Sequence, residues 1–497
     1  MFVAAGPRGA LLPLALVAWG ALAAACGSKS TAPGATPSGD GGAAADAAPA
    51  DAAPPSYPVV TLPAEPQRAG DPKKGYQALV NAPYVPCGIP RSAYDRVFSA
   101  APADSRLPDR DPASAALPYN FTAYTTKEGV ALVTSNCLSC HAGRLQGKLV
   151  VGLGDAAGDF TSPVAQQKQI FEAVGLLLTD PKEIAEWQKW KERVTVVAPY
   201  NHLDTRGPNP ADAFTATLFA HHDRKTLAWL TQPALPVPPP QDLPVDVPPW
   251  WRMAKKNTMF YVSAGRGDHA RHMMTASILC ISSVAEAEAI DAWFGDVRAY
   301  IASLAPPKYP FPIDQAKAAR GKTVFDATCS RCHGTHGAGG SYPNRLISLP
   351  EIGTDGLLAS GTAQFAGPFV EWHNQSFFGQ TARLEPQQGY VAPPLDGIWA
   401  TAPFLHNGSV PTIAALLDST KRPRYWTRTF DSSDLDQVGI GWNFTVVDHG
   451  KDGESDGKKK AELYDTTRPG YGNAGHTFGD RLGDEDRASV LEYLKTL

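Results

Sequence analysis

The chain carries no marked excess of charge of either sign. Its 497 residues include 45 Lys and Arg against 49 Asp and Glu, so the formal net charge is −4. Proteins that bind nucleic acid or an anionic membrane surface usually show a clear basic excess. The composition therefore argues against both classes of partner, while 43% hydrophobic residues are enough for two or three cores of ordinary domain size.

No apolar run is long enough to cross a bilayer comfortably. The stretch at residues 10–25 follows Arg8 and is typical of an export signal, which predicts its removal from the mature protein. Ala23-Ala24-Ala25-Cys26 resembles a lipoprotein processing box, so Cys26 is a candidate site of lipid attachment. Ordinary cleavage after the alanines is the alternative. In either case we expect an exported protein, periplasmic or held at the outer membrane as a lipoprotein.

The segment from Gly27 to about Tyr57 is built almost entirely from Ala, Gly, Pro, Ser, Thr and Asp. Such a composition lacks the apolar surface needed to offset the entropy of ordering. The sequence therefore predicts a flexible tether. The expected boundaries are a signal at 1–25, a tether at 26–75 and a first folded domain from residue 76.

Cysteine is scarce, with seven in the chain, but four of them fall into two copies of one motif. Residues 137–141 read Cys-Leu-Ser-Cys-His, and residues 329–333 read Cys-Ser-Arg-Cys-His. In the attachment motif of c-type haem, two cysteines on one side of a helical turn bind the haem covalently and the next histidine binds the iron. The sequence thus predicts two covalently bound haem c groups. Their predicted binding residues are Cys137, Cys140, His141, Cys329, Cys332 and His333, with His141 and His333 as iron ligands.

Other uses of paired cysteines fit this sequence less well. A zinc site needs its two pairs about 15–20 residues apart, whereas these pairs lie in different halves of the chain. A thioredoxin-like pair follows a strand, whereas helix-patterned residues precede both motifs. Of the remaining cysteines, Cys280 lies in an apolar run, which favours a buried inert thiol. A disulfide to Cys87 stays open in an oxidising compartment.

The two halves of the chain share further features. Gly129 and Gly321 each stand eight residues before the first motif cysteine, and an apolar pair follows each at the same offset. Residues 297–304 and 490–497 repeat a pattern of apolar positions around a tyrosine at helical spacing. The sequence predicts a mainly α fold in which a class I cytochrome c-like domain occurs twice, with long loop insertions. The predicted domains cover 76–304 and 310–497, with a Pro-rich linker between them.

Methionine is scarcest of all and bears on the second haem. The five methionines are Met1, Met253, Met259, Met273 and Met274, so the second half contains none and its iron cannot be His/Met ligated there. A second histidine is the expected substitute. His476, on a loop before the last helix, is our predicted ligand. The rival histidines are His373, His406 and His449, while His336 lies too close to the proximal ligand.

For the first haem, residues 259–274 are the candidate pocket. The candidate ligands within it are His269, His272, Met273 and Met274. If one of them coordinates the iron, the site is closed; if only apolar groups face it, the site is open to oxygen or peroxide. The alternative is that the methionines belong to the core and the histidines to the surface.

At this point the residues suggest a family. The run Pro394–Ser409 resembles the signature of bacterial dihaem cytochrome c peroxidases and of the enzyme that matures methylamine dehydrogenase. Together with Trp250-Trp251, residues 257–261, Arg266-Gly267-Asp268 and residues 473–476, it is most similar to the dihaem rubber-oxygenase-like branch. The resemblance covers residue 76 to the end. It implies a reactive first haem and an electron-storing second haem with His476 as its distal ligand.

The departures from that family also matter. Its peroxidases usually relay electrons through a His/Met haem in the second domain, which this chain cannot build, and the chain is shorter than known rubber oxygenases. The sequence therefore predicts a redox enzyme that activates peroxide or dioxygen at the first haem, with Phe260 and Tyr261 as candidate catalytic residues. A pure electron-transfer cytochrome with both irons six-coordinate is the alternative. The expected partner is a redox protein or a small-molecule or polymer substrate, with no nucleic acid and no membrane contact beyond a lipid anchor.

Overall fold

A computed structural model describes residues 57–237 and 240–497. The α-helices are α1 (Pro72–Asn81), α2 (Arg91–Val97), α3 (Leu138–His141), α4 (Val164–Gly175), α5 (Pro181–Val197), α6 (Ala211–Ala220), α7 (His269–Met273), α8 (Val284–Ser303), α9 (Gln315–Thr328), α10 (Ser330–His333), α11 (Leu349–Ile352), α12 (Leu357–Phe365), α13 (Gly367–Gln375), α14 (Ile413–Leu417), α15 (Gly457–Glu462) and α16 (Asp484–Leu494). Among the helices of these residues, none is both long and apolar enough to cross a membrane.

The strands are short and all pair antiparallel. They are β1 (Val60–Thr61), β2 (Ile89–Pro90), β3 (Phe121–Thr125), β4 (Ala131–Ser135), β5 (Ala142–Leu145), β6 (Lys148–Val151), β7 (Gly265–Gly267), β8 (Arg345–Ser348), β9 (Ala382–Leu384), β10 (Gly389–Val391), β11 (Tyr425–Thr427), β12 (Leu435–Asp436), β13 (Gly441–Trp442), β14 (Thr445–Val446) and β15 (Tyr464–Asp465). They form three-stranded sheets in the orders β1-β8-β10, β14-β11-β15 and β2-β4-β3, and the pairs β5-β6, β7-β9 and β12-β13.

The two most extensive helix pairs are α1 packed on α8 and α9 packed on α16. At each crossing a glycine lets the backbones touch. A Cβ on Gly75 would lie 1.9 Å from the carbonyl oxygen of Asp296, and a Cβ on Gly321 would lie 1.9 Å from that of Ser489. A side chain larger than hydrogen is therefore excluded at both positions. In each crossing one helix is a predicted closing helix. These helices are α8, which carries Tyr300, and α16, which carries Tyr493.

The predicted equivalence of Gly129 and Gly321, each eight residues before a motif, is wrong. Gly129 lies in the turn between β3 and β4 with φ of 85°, so no helix leads to the first motif. The reason lies in the residues that follow, because Leu132 and Val133 belong to a strand in which both are buried. The glycine that corresponds to Gly321 is Gly75. In the second half the prediction is correct, since α9 ends at the residue before Cys329.

The expected tether also ends earlier than residue 75. Strand β1 pairs with β8, Leu62 is buried, and Glu65 forms ion pairs of 2.7 Å with both Arg266 and Arg383. Apolar and charged contacts thus attach the chain from about residue 60, and α1 begins at Pro72 because Asp71 caps it. The predicted export signal, Cys26 and the first part of the tether lie outside the described residues.

Each of the two main cores contains residues from both halves of the chain. Phe369, Trp372 and Phe378 from the second half pack in the core built on α1 and α8. Leu145 and Trp251 from the first half pack in the core built on α9 and α16. The Pro-rich linker therefore divides the sequence but does not divide the packing.

Cys87 and Cys280 form a disulfide, with their Cα atoms 5.5 Å apart. Both are completely buried in the first core. The expectation of an inert thiol at Cys280 is wrong, because burial places the two sulfurs side by side between β2 and the start of α8. The link joins two segments of the first core that are far apart in sequence.

Candidate haem-binding site

Both motifs open onto one cavity of about 2410 Å³. An ordinary ligand pocket has a volume of about 300–1,000 Å³, so this space suits more than one large ligand. The cavity is bordered by Cys137, Cys140, His141, Cys329, Cys332, His333 and His476. None of the four motif cysteines takes part in a disulfide with another described residue. Cysteine sulfurs beside a histidine at a cavity wall are the groups that covalent haem attachment needs.

The second motif presents its groups on one helical turn. The backbone N–H of His333 donates to the Cys329 carbonyl at 3.1 Å, which closes α10. His333 Nδ1 bonds the Pro393 carbonyl at 2.8 Å, so Nε2 is left as the coordinating nitrogen. Burial lowers the pKa of His333 to about 4. A neutral imidazole with its second nitrogen held by a carbonyl is the usual form of a metal ligand.

The structure brings His476 to the side of His333. Their ring centres are 6.1 Å apart. Two imidazoles that bind one metal from opposite sides, each at about 2 Å, have ring centres roughly 6 Å apart. His476 Nδ1 is buried and has no hydrogen-bond partner in the described part of the chain, and burial lowers its pKa to about 3. The pair thus fits a haem with two histidine ligands.

The loop that carries His476 is held by its backbone. Arg422 donates to the carbonyls of Asn473, Gly475 and His476 at 2.7, 2.6 and 3.2 Å. The His476 N–H donates to the Ile352 carbonyl at 2.7 Å. The backbone that carries the imidazole is therefore held by groups other than the imidazole itself.

The rival histidines have other partners. His406 stacks on Tyr390 at 4.2 Å, with its Nε2 3.2 Å from the tyrosine hydroxyl. His449 is exposed and bonded to Asp448 at 2.8 Å, which raises its pKa. His373 stacks on His272 at 5.3 Å. In the described residues, none of the three packs against His333.

The first motif is built differently. Strand β4 leads into it, Asn136 accepts from the Leu138 N–H at 2.9 Å, and Asn209 donates to Cys140 Sγ at 3.3 Å. The His141 ring stacks on Trp250 at 4.8 Å. Burial lowers the pKa of His141 to about 4. Among the described residues no histidine ring packs against His141, which is the main difference between the two motifs.

A repeat that the sequence analysis missed supports both histidines from behind. Pro248-Pro249 lies behind His141 as Pro393-Pro394 lies behind His333. The Pro248 carbonyl favours the protonated form of His141, although no full hydrogen bond reaches Nδ1. A Pro-Pro pair at the end of an apolar segment in each half was the available signal.

Only some of the residues predicted for the first pocket border the cavity. Phe260, Tyr261, His272, Met259 and Met273 border the cavity, whereas His269 and Met274 do not. The last two are buried in the first-half packing, because the short α7 and the 3₁₀ turn after it direct them away from the cavity. The expectation of surface histidines is wrong, since His269 and His272 are 1% and 4% exposed.

Tyr261 belongs to a buried polar cluster. Its hydroxyl donates to Asp246 Oδ2 at 3.1 Å. Burial raises the pKa of Asp246 to about 8 and lowers the pKa of nearby Arg252 to about 10. Phe260, 38% exposed, packs edge-on against His272. Asp246 was missed because a single carboxylate in a Pro-rich segment forms no motif.

Comparison with known families agrees with the second motif. A family model described as RoxA-like, cytochrome c-like matches residues 389–427, and the cytochrome c family model matches residues 318–407. The second half of the chain contains a cytochrome c domain. Covalently bound haem c and a haem-based redox role follow for that domain, whose matched segment includes Cys329, Cys332 and His333.

Two uncharacterised proteins of Sinorhizobium fredii are similar to part of the chain. Protein y4iM is 31% identical over 246 residues, which cover 41% of this chain and 53% of that protein. Protein y4iJ is 30% identical over 260 residues, which cover 39% of this chain and 41% of that protein. The chain thus spans about half the length of the curated relatives it matches.

Proposed function

We propose that the protein is an exported dihaem c-type cytochrome that activates peroxide or dioxygen at the haem of the first motif. The haem of the second motif, bound by His333 and His476, serves as an electron store. One observation carries this proposal. His333 has a second histidine ring 6.1 Å away, whereas the ring packed on His141 is that of Trp250.

The segment before each closing helix supports the same difference. In the second half this segment presents His476 to the cavity. In the first half it presents Met273, Thr275, Ala276 and Leu279. Thr275, Ala276 and Leu279 are poor iron ligands, and their presence at this place favours an iron that keeps one coordination position for an incoming oxidant.

A haem supplies an iron that changes oxidation state, and the side chains around it determine what can react. Tyr261 and Asp246 hold a proton between Oη and Oδ2. Because the raised pKa of Asp246 is about 8, this carboxyl is mostly protonated at neutral pH and is a proton donor of suitable strength. Phe260 borders the same cavity and adds an apolar group to its wall.

Trp250 and Trp251 support electron exchange between the two motifs. They are adjacent on one 3₁₀ turn, yet Trp250 packs in the first core and Trp251 in the second. Trp250 stacks on His141, and Trp251 Nε1 donates to the Asp396 carbonyl at 2.8 Å. A short covalent and aromatic route thus leads from His141 to the segment after Pro393, whose carbonyl bonds His333.

The buried disulfide supports export, because disulfides persist in oxidising compartments. Together with the predicted signal and Cys26, it leads us to place the protein in the periplasm or at the outer membrane as a lipoprotein. The partner is then a redox protein or a small-molecule or polymer substrate of that compartment.

A second function deserves a test because Met253, Met259 and Met273 also border the cavity. A methionine sulfur on the first iron would make both haems six-coordinate and the protein an electron carrier. Of the three, Met273 lies in the segment that corresponds to the His476 loop. Replacing Met273 by Leu distinguishes the two functions, since only a ligand methionine would change the first haem's spectrum.

Electron paramagnetic resonance of the oxidised protein tests the proposal. We expect one low-spin haem and one haem that is high-spin or carries an exogenous ligand. Peroxide added to the reduced protein should change only the spectrum of the haem that is high-spin or carries an exogenous ligand. Two low-spin signals that resist peroxide and oxygen would favour the electron carrier.

A further inference from the structure

Two cationic side chains in the cavity wall have no counter-charge. Arg252 and Lys256 both border the cavity. Arg252 is 7% exposed and donates to two neutral oxygens, the Asp396 carbonyl at 3.1 Å and Thr401 Oγ1 at 3.2 Å. Within the described residues, no carboxylate lies within ion-pairing distance of either cation, and Lys256 Nζ makes no hydrogen bond. The wall therefore holds two adjacent positive charges.

The nearest acidic groups do not remove this imbalance. The carboxylate of Asp396 pairs with Lys255 at 2.7 Å. Asp246 is the other carboxyl near Arg252, and burial raises its pKa to about 8, so it is mostly uncharged at neutral pH. Burial and the charge of Arg252 lower the pKa of Lys256 to about 8. A buried charge without a partner, such as that of Arg252, is strongly unfavourable unless a ligand supplies the opposite charge.

The location of the two cations indicates which ligand supplies it. Trp250, two residues before Arg252, stacks on His141. On the other side, the Asp396 carbonyl that Arg252 contacts lies three residues after Pro393, whose carbonyl bonds His333. Arg252 thus lies between the two attachment motifs, and Lys256 borders the same cavity beside it, where both side chains could reach a carboxylate of a bound haem. Haem carries two propionate carboxylates at one edge.

We propose that Arg252 and Lys256 bind haem propionate carboxylates in the wall between the two motifs. Arg252 contributes a planar guanidinium and Lys256 a point charge. This inference rests on haem attachment, which the proposed function shares, but it does not require any reaction with peroxide or oxygen.

The pairing has a measurable consequence for reduction potential. A cation that neutralises a propionate removes negative charge near the iron and thereby favours the reduced state. Loss of the cation leaves the carboxylate uncompensated, stabilises the oxidised iron and lowers the midpoint potential. The effect should appear without any added ligand.

Neighbouring lysines provide a matched pair of variants. Lys256→Gln and Lys255→Gln change the formal charge equally at adjacent positions. Lys255 is 44% exposed and paired with Asp396, so solvent screens it. Haem content is measured first in each purified holoprotein, and both midpoint potentials are then determined by spectroelectrochemical titration. We expect Lys256→Gln to lower at least one potential and Lys255→Gln to leave both unchanged.

Arg252 gives a second comparison that separates charge from packing. Arg252→Gln should lower a potential, and Arg252→Lys should restore most of the shift. Equal potentials in wild type, Lys256→Gln and Arg252→Gln would overturn the proposal. The proposal would also be overturned if the midpoint potentials of the variants differed from those of the wild type only after octanoate was added, because the carboxylate would then come from a ligand in solution.

The result is separable from the proposed function. If the protein contains two haems and the variants have shifted potentials, but neither peroxide nor oxygen reacts with it, the oxidant chemistry is refuted and the propionate assignment stands. A product without haem would overturn both.

Discussion

Replacing His476 by Ala should convert the second haem from low spin to high spin. The ring of His476 is 6.1 Å from that of His333, a separation that one iron between them accounts for. If both imidazoles bind one iron, removing one would leave His333 as the only histidine ligand, and the ligand field would be weaker. Optical and electron paramagnetic resonance spectra of the oxidised protein measure the change.

The structure indicates that the loop survives this substitution. Arg422 and Ile352 hold residues 473–476 through backbone groups. His476 has φ of 48°, a left-handed conformation that costs a non-glycine residue about 1–2 kcal/mol. His476→Gly should therefore give the same high-spin spectrum as His476→Ala while unfolding with a free energy about 1 kcal/mol higher.

His449→Ala is the matched control, because His449 is exposed and pairs with Asp448 in the same half. Its spectrum should equal that of the wild type, and added imidazole should return His476→Gly to low spin. A low-spin second haem in both His476 variants would refute the assignment and require another ligand from the same cavity.

Three further predictions concern stability and the first pocket. Cys87→Ser breaks a buried disulfide that joins distant segments and should lower the free energy of unfolding by about 2–5 kcal/mol, measured by denaturant titration under oxidising conditions; an unchanged value would contradict the link. Gly75→Ala should destabilise far more than Gly129→Ala, because its Cβ meets a backbone carbonyl at 1.9 Å whereas that of Gly129 meets nothing and costs only the roughly 1–2 kcal/mol of its positive φ. Tyr261→Phe should preserve the fold, at a cost of about 1 kcal/mol for the lost bond to Asp246, but slow the reaction of the first haem with peroxide in stopped-flow measurements; an unchanged rate would remove Tyr261 from the mechanism.

The second half of the chain was the more predictable half. Its helix leads directly into the motif, its closing helix carries Tyr493, and His476 lies where the sequence placed it. These features depend on contacts close in sequence or on helices with clear periodicity. Comparison with the cytochrome c family supports the same part of the chain.

The first half departs from this pattern because a sheet separates its first helix from its motif. Strand β4 contains Leu132 and Val133, an apolar pair that in a short window fits a helix as well as a strand. Gly129 then matched Gly321 by offset alone. The helix crossing that defines the fold depends on a contact between Gly75 and Asp296, residues far apart in sequence, so no local pattern could select Gly75.

The difference between the surroundings of His141 and His333 follows from the segments that precede the two closing helices. In the second half, the loop before α16 is fixed by Arg422 and turns His476 toward His333. In the first half, the corresponding segment is fixed by the disulfide at Cys280 and by the packing of Ile278, and it turns Ala276 and its neighbours toward the cavity. The two halves therefore present different side chains to the cavity at this position, an imidazole in the second half and small or apolar groups in the first. Because Phe369, Trp372 and Phe378 from the second half complete the first core, both arrangements belong to one closely packed structure.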